Sequence, residues 1–371
     1  MRRGRSIGLL ALLLALTAGC AGAQEHVTWQ YDHSLALDYA QQYTVDYYQG
    51  GYAVATIGGD AQYLVVPQGK PVPLEVPADM VVLQQPIQNI YLVSTSVMDF
   101  FCSLEALDRI ALSGTNAAGW YIPQAREAME QGKIAYAGKY SAPDYEKILS
   151  SECGLAIENT MIYHTPEVKE ELEQFGIPVL VERSSYESDP LGRMEWIKLY
   201  GVLLGKEQEA EEIFSETEAQ LQPVLSQDAT GKTAAFFSIT TNGLATVRKS
   251  GDYVAKMIEM AGGTYVFQDL EDNGNNLSTM NLPLENFYAG AKDADVLIYN
   301  STIEGTVETL DQLVEKCPML AEFQAVQTGK VYCTSQSLFQ QTMELGSLVL
   351  DMHKVFTEED PADLQYLTKV K

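Results

Sequence analysis

The stretch Ile90-Tyr-Leu-Val-Ser-Thr-Ser-Val-Met-Asp-Phe-Phe-Cys-Ser-Leu-Glu-Ala-Leu-Asp-Arg-Ile-Ala-Leu112 contains two short apolar runs separated by an amphipathic segment. Short apolar runs bounded by polar residues are typical of buried strands, and the segment between them is long enough for a helix. A strand, a helix and a second strand form a βαβ unit, whose strands lie parallel in one sheet. The stretch therefore predicts an α/β fold.

The same alternation continues on both sides of this stretch. It predicts further strands at Ile134–Ala137, Leu155–Ile157, Pro178–Val181, Ala234–Ile239, Val296–Tyr299 and Val331–Cys333. A helical stretch from Pro190 to Leu221, divided at Gly205, separates the two series, and later helices are predicted over Asp252–Met260 and Gln340–Phe356. Before residue 67, segments rich in Tyr, Val and Thr with paired glycines as turns predict β-hairpins.

We therefore predict two Rossmann-like α/β lobes joined by a long helical linker, with an N-terminal β-hairpin appendage. The predicted segments are a signal peptide at 1–19, a lipidated N-terminus with the β appendage at 20–85, an N-terminal lobe at 86–186, linker helices at 187–228 and a C-terminal lobe at 229–371.

The N-terminus has the layout of an export signal. Three arginines at positions 2, 3 and 5 precede an apolar run from Ile7 to Leu16, which is shorter than the roughly 20 residues that a membrane-spanning helix needs. The following Leu16-Thr-Ala-Gly-Cys20 resembles the bacterial lipobox, so we expect Cys20 to be acylated and to anchor the protein to a membrane surface. The alternative is an ordinary signal-peptidase site at which Cys20 is only a small residue.

The net charge of the chain argues against two classes of partner. The chain has 24 basic and 50 acidic residues, and removal of the three signal arginines leaves 21 basic residues and a net charge of −29. Such an excess of acid is unsuited to nucleic acid and to an anionic membrane surface. We expect solubility to account for it, and membrane contact to occur through the lipid anchor only.

Cysteine and histidine are too sparse to indicate a metal centre. Cys102, Cys153, Cys317 and Cys333 are not at metal-ligand spacing, and their order allows either buried thiols or disulfides pairing Cys102 with Cys153 and Cys317 with Cys333. The chain contains four histidines, which are widely scattered. No G-x-S-x-G elbow or Ser/His/Asp set is evident, and we predict no resident cofactor or metal.

Ligands of α/β lobes bind beyond the carboxyl ends of the strands. Polar and aromatic residues at these ends are therefore the predicted ligand-binding residues: Thr95, Ser96, Trp120, Tyr121, Tyr140, Glu158, Asn159, Thr240, Asn242, Arg248, Asn300, Ser301 and Gln340. For any one of them, a role in a turn or helix cap is the competing interpretation.

Several segments in order along the chain resemble one family. They are Ile90–Ser94, Leu107–Ile110, Pro143–Glu146, Phe175–Pro178, the block Tyr186–Lys198 and Ala325–Val331. They are similar to the iron-siderophore, haem and vitamin B12-binding proteins of ABC importers, over roughly residues 86–356. The resemblance implies two lobes bridged by a rigid helix, with cargo bound between them.

The resemblance also implies partners and residue roles. Cargo would pass to a permease of two transmembrane subunits with its ATPase, and the binding protein would be a monomer. Glu146 and Glu285 match the paired surface glutamates that dock on that permease. Tyr140 corresponds to a stacking aromatic of the vitamin B12 binder, and Arg183, Arg193 and Arg248 are the arginines that could hold an anionic chelate.

Three other functions compete with chelate capture. Related lobes occur in enzymes that process metals and tetrapyrroles, although export and the missing catalytic set disfavour an enzyme. A receptor for free metal ions is disfavoured by the shortage of histidine. An adhesive or structural lipoprotein would use the β appendage as its binding surface.

Overall fold

A computed structural model describes residues 29–270 and 278–371. The predicted signal peptide and Cys20 lie outside the described residues. Among the residues described, no helix combines the length and the apolar character needed to cross a bilayer.

The chain begins with a five-stranded sheet, here called the first sheet. Its strands are β1 (Tyr31–Ser34), β2 (Tyr43–Tyr48), β3 (Tyr52–Ile57), β4 (Ala61–Val66) and β5 (Val81–Gln84). Strands β1 to β4 form an antiparallel meander, and β5 adds in parallel to β4. Gly50 and Gly51 have φ of +89° and +85° in the β2–β3 turn, a conformation that glycine adopts without strain.

The N-terminal lobe has the predicted parallel sheet. Its strands are β6 (Ile90–Leu92), β7 (Ile110–Ser113), β8 (Ala135–Tyr136), β11 (Ala156–Glu158) and β12 (Val179–Val181), in the order β12-β11-β6-β7-β8, with a small hairpin of β9 (Gly138–Lys139) and β10 (Ala142–Pro143). Its helices are α1 (Met98–Ser103), α2 (Pro123–Glu130), α3 (Tyr145–Ser150) and α4 (Pro166–Gln174). All neighbours in the five-stranded sheet are parallel, as the βαβ alternation predicts.

Two helices form the linker, α5 (Pro190–Leu204) and α6 (Glu207–Leu225). The side chain of Asp189 caps α5 by accepting a hydrogen bond from the amide of Leu191 at 2.8 Å, and Gly205 ends it with φ of +69°. The division predicted at Gly205 is confirmed. Almost all of α5 is buried, which is typical of a helix packed on every side.

The C-terminal lobe contains a seven-stranded mixed sheet. Its strands are β13 (Thr233–Ile239), β14 (Ala245–Arg248), β15 (Thr264–Tyr265), β16 (Thr279–Leu282), β17 (Val296–Tyr299), β18 (Val331–Thr334) and β19 (Leu367–Lys369). Its helices are α7 (Tyr253–Met260), α8 (Leu284–Ala291), α9 (Ser301–Glu304), α10 (Leu310–Lys316), α11 (Gln324–Gln327) and α12 (Leu345–Thr357). The predicted strands β13, β17 and β18 are parallel neighbours at its centre.

The last long helix starts later than the sequence predicts. It begins at Leu345, after a 3₁₀ turn over Thr342–Glu344, rather than at Gln340. The amides of Gln340 and Gln341 both bond to the carbonyl of Ser337 in a preceding turn. The Gln340 side chain is held by the other lobe, as described below.

The first sheet packs against the body of the molecule rather than standing apart as an appendage. Its inner side chains, such as Tyr43 and Val45, belong to the same buried cluster as α5 and both lobes. The loop at 38–42 is held by two glutamates of the linker region. Glu195 accepts hydrogen bonds from the amides of residues 38, 39 and 40 at 2.8–3.0 Å, and Glu187 accepts from those of residues 41 and 42.

Of the two alternatives for the cysteines, disulfide pairing is wrong, because Cys102, Cys153, Cys317 and Cys333 are free thiols. Cys102 packs against the main core cluster, whereas Cys153 packs against the cluster on the other face of the N-terminal lobe sheet. Cys317 ends α10 and Cys333 lies on β18, and both are buried. The alternative of unpaired thiols is the one that the structure supports, with Cys317 and Cys333 buried and Cys102 and Cys153 half-buried.

Candidate functional site

A cleft of about 290 Å³ lies between the two lobes. Its walls come from the ends of β6, β11 and β12 in the N-terminal lobe, from α5 and α7, and from the segment before α12. The lining residues are Ser94, Thr95, Ser96, Asn159, Glu182, Ser185, Arg193, Arg248, Asp252, Tyr253, Ser278, Leu338, Phe339, Thr342 and Leu345. Hydroxyl groups and two arginines give it a polar interior, with apolar side chains on the C-terminal wall.

Arg248 is the buried cation of the C-terminal wall. Its Nη1 lies 3.5 Å from Oδ2 of Asp252 and 3.3 Å from the hydroxyl of Ser278, and its guanidinium lies 4.9 Å from the ring centre of Phe339. Burial raises the pKa of Asp252, and the charge of Arg248 partly offsets that rise. A ligand carboxylate reaching Arg248 would compete with Asp252 for the same guanidinium.

Arg193 is the second buried cation and comes from the first turn of α5. Its guanidinium stacks over the ring of Tyr253 at 3.8 Å from the ring centre. The facing acid is Glu182, which accepts hydrogen bonds from the amide of Ser184 and the hydroxyl of Ser94. Burial raises the pKa of Glu182, against the opposing effects of these donors and of Arg193.

These four groups give the cleft two positive and two acidic side chains. Two guanidinium groups face two carboxyl groups whose charged forms are disfavoured by burial. Guanidinium presents a planar fork that matches carboxylate and other paired oxygen anions. The cleft can therefore hold an anionic, oxygen-rich group while hydroxyls bond to the rest of the ligand.

Four of the predicted residues line this cleft: Thr95, Ser96, Asn159 and Arg248. The Asn159 side chain also accepts a hydrogen bond from the amide of Met161 at 2.9 Å, so it caps the following 3₁₀ turn as well.

Three of the predicted residues are buried away from it. Trp120 is fully buried, and its indole N–H lies 3.2 Å from both the hydroxyl of Ser113 and the carbonyl of Thr115. Ser301 donates to the carbonyl of Thr334 at 2.6 Å in the C-terminal core. Glu158 is also fully buried, and neither of its carboxyl oxygens has a hydrogen-bond partner among the residues that the structure describes. Burial raises the pKa of Glu158 to about 8.

Gln340 joins the lobes instead of lining the cleft. Its side-chain amide donates to the carbonyl of Gly119, and its side-chain oxygen accepts from the amide of Tyr121, both at 2.8 Å. The hydroxyl of Thr342 donates to the carbonyl of Ser96 at 2.9 Å, alongside. These bonds join the two lobes, and the Thr342–Ser96 bond does so between two residues that line the cleft.

The remaining predicted residues lie outside the cleft lining. Tyr140 is half-buried against the cluster on the outer face of the N-terminal sheet. Thr240 and Asn242 bond to each other in the turn between β13 and β14, and Asn300 caps α9 by accepting from the amide of Thr302. For these polar residues the turn and cap interpretation describes the contacts.

The cleft also contains residues that do not follow a strand and that the sequence analysis did not predict as ligand-binding from strand ends. Arg193 and Tyr253 lie on helices, and Asp252 is the N-cap of α7. Arg193 could be found only through the resemblance, which singled it out among the arginines. Arg183, singled out in the same way, lies at a different cavity. Across the described parts of the chain, no group of three or more His, Cys, Asp or Glu side chains could hold a metal ion.

Comparison with known proteins decides the family. Residues 92–338 match the family model described as periplasmic binding protein. The chain belongs to this family. An uncharacterized lipoprotein of Methanocaldococcus jannaschii is 27% identical over 248 residues, which are 65% of this chain and 56% of that relative. The chain thus spans little more than half of that relative's length.

Solved structures of periplasmic binding proteins share the fold. A periplasmic haem-binding protein of Pseudomonas aeruginosa is 16% identical with a TM-score of 0.60, over 76% of this chain and 98% of that one. An ABC-type Fe3+-hydroxamate transport system protein of Saccharomonospora viridis is 19% identical with a TM-score of 0.57, over 73% and 94%. Identities this low establish the two-lobed fold only.

Proposed function

We propose that the protein captures an iron chelate, haem or corrinoid in the interlobe cleft and delivers it to an ABC permease. The observation that carries this proposal is the pair of buried arginines, Arg193 and Arg248, in a hydroxyl-lined cleft between two α/β lobes. Ferric siderophores and the propionates of haem present oxygen anions of the kind that guanidinium binds. The names of the haem and hydroxamate structures agree with this class of cargo.

The proposed location is outside the cytoplasm. The signal-like N-terminus, the lipobox-like segment ending at Cys20 and the lipoprotein name of a relative support an anchored protein. An extracytoplasmic anchor keeps the cleft near a membrane permease.

The cargo class is tested by titrating purified protein with a panel of ferric hydroxamate, ferric catecholate, haem and cyanocobalamin while following intrinsic fluorescence. We expect one class to bind saturably, and Arg248→Gln to weaken that binding by about tenfold or more, since a hydrogen bond to a charged group contributes roughly 1.5–3 kcal/mol. Arg109→Gln is the control, because Arg109 contacts Asp108 and neither residue lines the cleft. If Arg248→Gln bound the cargo with unchanged affinity, the cargo would not bind at Arg248 in the interlobe cleft.

Permease docking is proposed to use Glu146 and Glu285. Both are exposed in the first turn of a helix, α3 in one lobe and α8 in the other. An acid at this position is also favoured by the helix dipole, which is the competing explanation. Two pseudo-equivalent lobes facing two permease subunits would need one anion each, and such complementary charges set register and encounter rate.

Charge reversal tests this docking. The double variant Glu146→Arg with Glu285→Arg should abolish uptake in cells or in proteoliposomes while cargo affinity and thermal stability stay close to those of the parent. Glu130→Arg with Glu315→Arg is the matched control, because it reverses one exposed acid at the end of a helix in each lobe. Normal transport by the first pair would leave Glu146 and Glu285 as helix-start residues only.

A further inference from the structure

A second cavity lies between the first sheet and the N-terminal lobe. No described residue lines both this cavity and the interlobe cleft. Its volume is about 170 Å³, which is room for a molecule of roughly ten non-hydrogen atoms. One wall comes from β3, β4 and the start of β5. The other comes from α4, from β12 and from Arg183, which lies two residues after the end of β12. Val81, Val179 and Val181 supply apolar surface.

Arg183 is the residue of this cavity most suited to bind a ligand. Its guanidinium donates no hydrogen bond within residues 29–270 and 278–371, and its buried Nε has no partner. Buried polar groups in folded proteins are nearly always paired, so a guanidinium without an acceptor among the described residues is the candidate binding group of this cavity. The planar five-donor fork of arginine matches a carboxylate, which it can bind through two parallel hydrogen bonds.

The position of Arg183 is fixed by its neighbours. Its guanidinium carbon lies 4.6 Å from the ring centre of Tyr186. On another side the backbone of Gly58 approaches closely, since a Cβ there would lie 3.0–3.2 Å from Cδ, Nε and Nη1 of Arg183. Glycine at position 58 is favoured by its φ of +65°, and any side chain there would crowd the arginine packed on it. The ring of Tyr186 and the backbone of Gly58 thus both pack against the Arg183 side chain.

The other charges of the cavity select the rest of the ligand. Lys169 is already paired with Glu173 at 2.5 Å, so this pair contributes little net charge. Asp60 and Asp79 also line the cavity, and both are exposed, so they line it from the solvent side. A bare anion would be repelled by these two carboxylates on entry. A molecule with a carboxylate inward and an ammonium group outward would complement both sets of charges.

We propose that this cavity binds a small zwitterion of the amino-acid type, with its carboxylate on Arg183 and its ammonium group near Asp60 and Asp79. The site is independent of the interlobe cleft and of the cargo that the cleft takes. It is formed only because the first sheet packs on the N-terminal lobe, which gives that sheet a binding role.

Ligand-observed NMR and calorimetric titration test the proposal with named probes. The probes are glycine, glutamine and lysine as zwitterions, acetate as a carboxylate alone and ethylamine as an ammonium ion alone. We expect saturable binding of at least one zwitterion and much weaker binding of acetate and ethylamine. Arg183→Gln and Arg183→Lys should both weaken zwitterion binding by about tenfold or more, because lysine keeps the charge but loses the fork.

Two further variants keep the test specific. Asp60→Asn with Asp79→Asn should weaken binding of the zwitterion without weakening that of acetate. Arg248→Gln should leave zwitterion binding unchanged, and melting temperatures show whether each variant is folded. The proposal is overturned if no zwitterion binds the folded parent, if acetate binds equally well, or if Arg248→Gln abolishes binding while Arg183→Gln does not.

Discussion

Replacing Glu195 with Ala should destabilise the protein by about 3–5 kcal/mol, which is the scale for removing one partner of a buried charge pair. Glu195 is fully buried in α5, and its two oxygens accept three backbone N–H groups of the loop at 38–40. It also lies 3.3 Å from the ammonium group of Lys198, which is itself buried. Alanine would leave these donors without an acceptor and would release the loop that holds the first sheet on the linker.

The measurement is the free energy of unfolding in urea, together with limited proteolysis of the loop at 38–42. Glu211→Ala is the matched control, because Glu211 contacts the same Lys198 at 3.0 Å but has an exposed side chain. Exposed partners of this kind contribute little. Equal stability of the two variants would show that Glu195 does not anchor the first sheet.

Replacing Glu158 with Gln should stabilise the protein at pH 9 and have little effect at pH 5. Burial raises the pKa of Glu158 from 4.5 to about 8 in the folded protein. The folded state therefore keeps a proton that the unfolded chain loses, and the parent loses stability as the pH rises from about 4.5 to about 8. This pKa difference between the folded and unfolded states lowers the free energy of unfolding by up to about 5 kcal/mol above pH 8. Glutamine carries no charge, so the variant escapes this loss.

Urea unfolding of parent and variant across pH 5 to 9 measures the effect. Glu130→Gln is the control, because it makes the same substitution at an exposed position at the end of α2. Parallel stability curves for Glu158→Gln and the parent would mean that the Glu158 carboxylate is solvated or paired in solution.

The fold follows from local patterns to a large extent. The apolar runs beginning at Ile90, Ile110 and Val296 form strands at the predicted places, because three or four consecutive apolar residues suit a strand covered on both faces. The break at Gly205 is equally local, since the left-handed conformation there favours glycine. The attachment of the first sheet is not local. It depends on Glu187 and Glu195 reaching backbone amides about 150 residues away in sequence, which no pattern reveals.

The residues of the cleft are harder to predict from the sequence than the fold, because their positions also depend on distant contacts. The sequence pattern places residues at strand ends but does not indicate which way each side chain points. Trp120 and Ser301 turn into the cores and Gln340 turns to the opposite lobe, whereas Arg248 faces the cleft. Arg193 and Asp252 line the cleft from helices, so a prediction based on the ends of strands does not include them.

The most direct test of cargo capture is native mass spectrometry of the protein isolated from its own host. The account predicts a non-covalent adduct whose mass and isotope pattern identify a metal chelate or tetrapyrrole. The adduct should be lost in Arg248→Gln and kept in the Arg109→Gln control. A bare protein mass from cells grown with ample metal, or an adduct that Arg248→Gln retains in full, would contradict binding in the interlobe cleft.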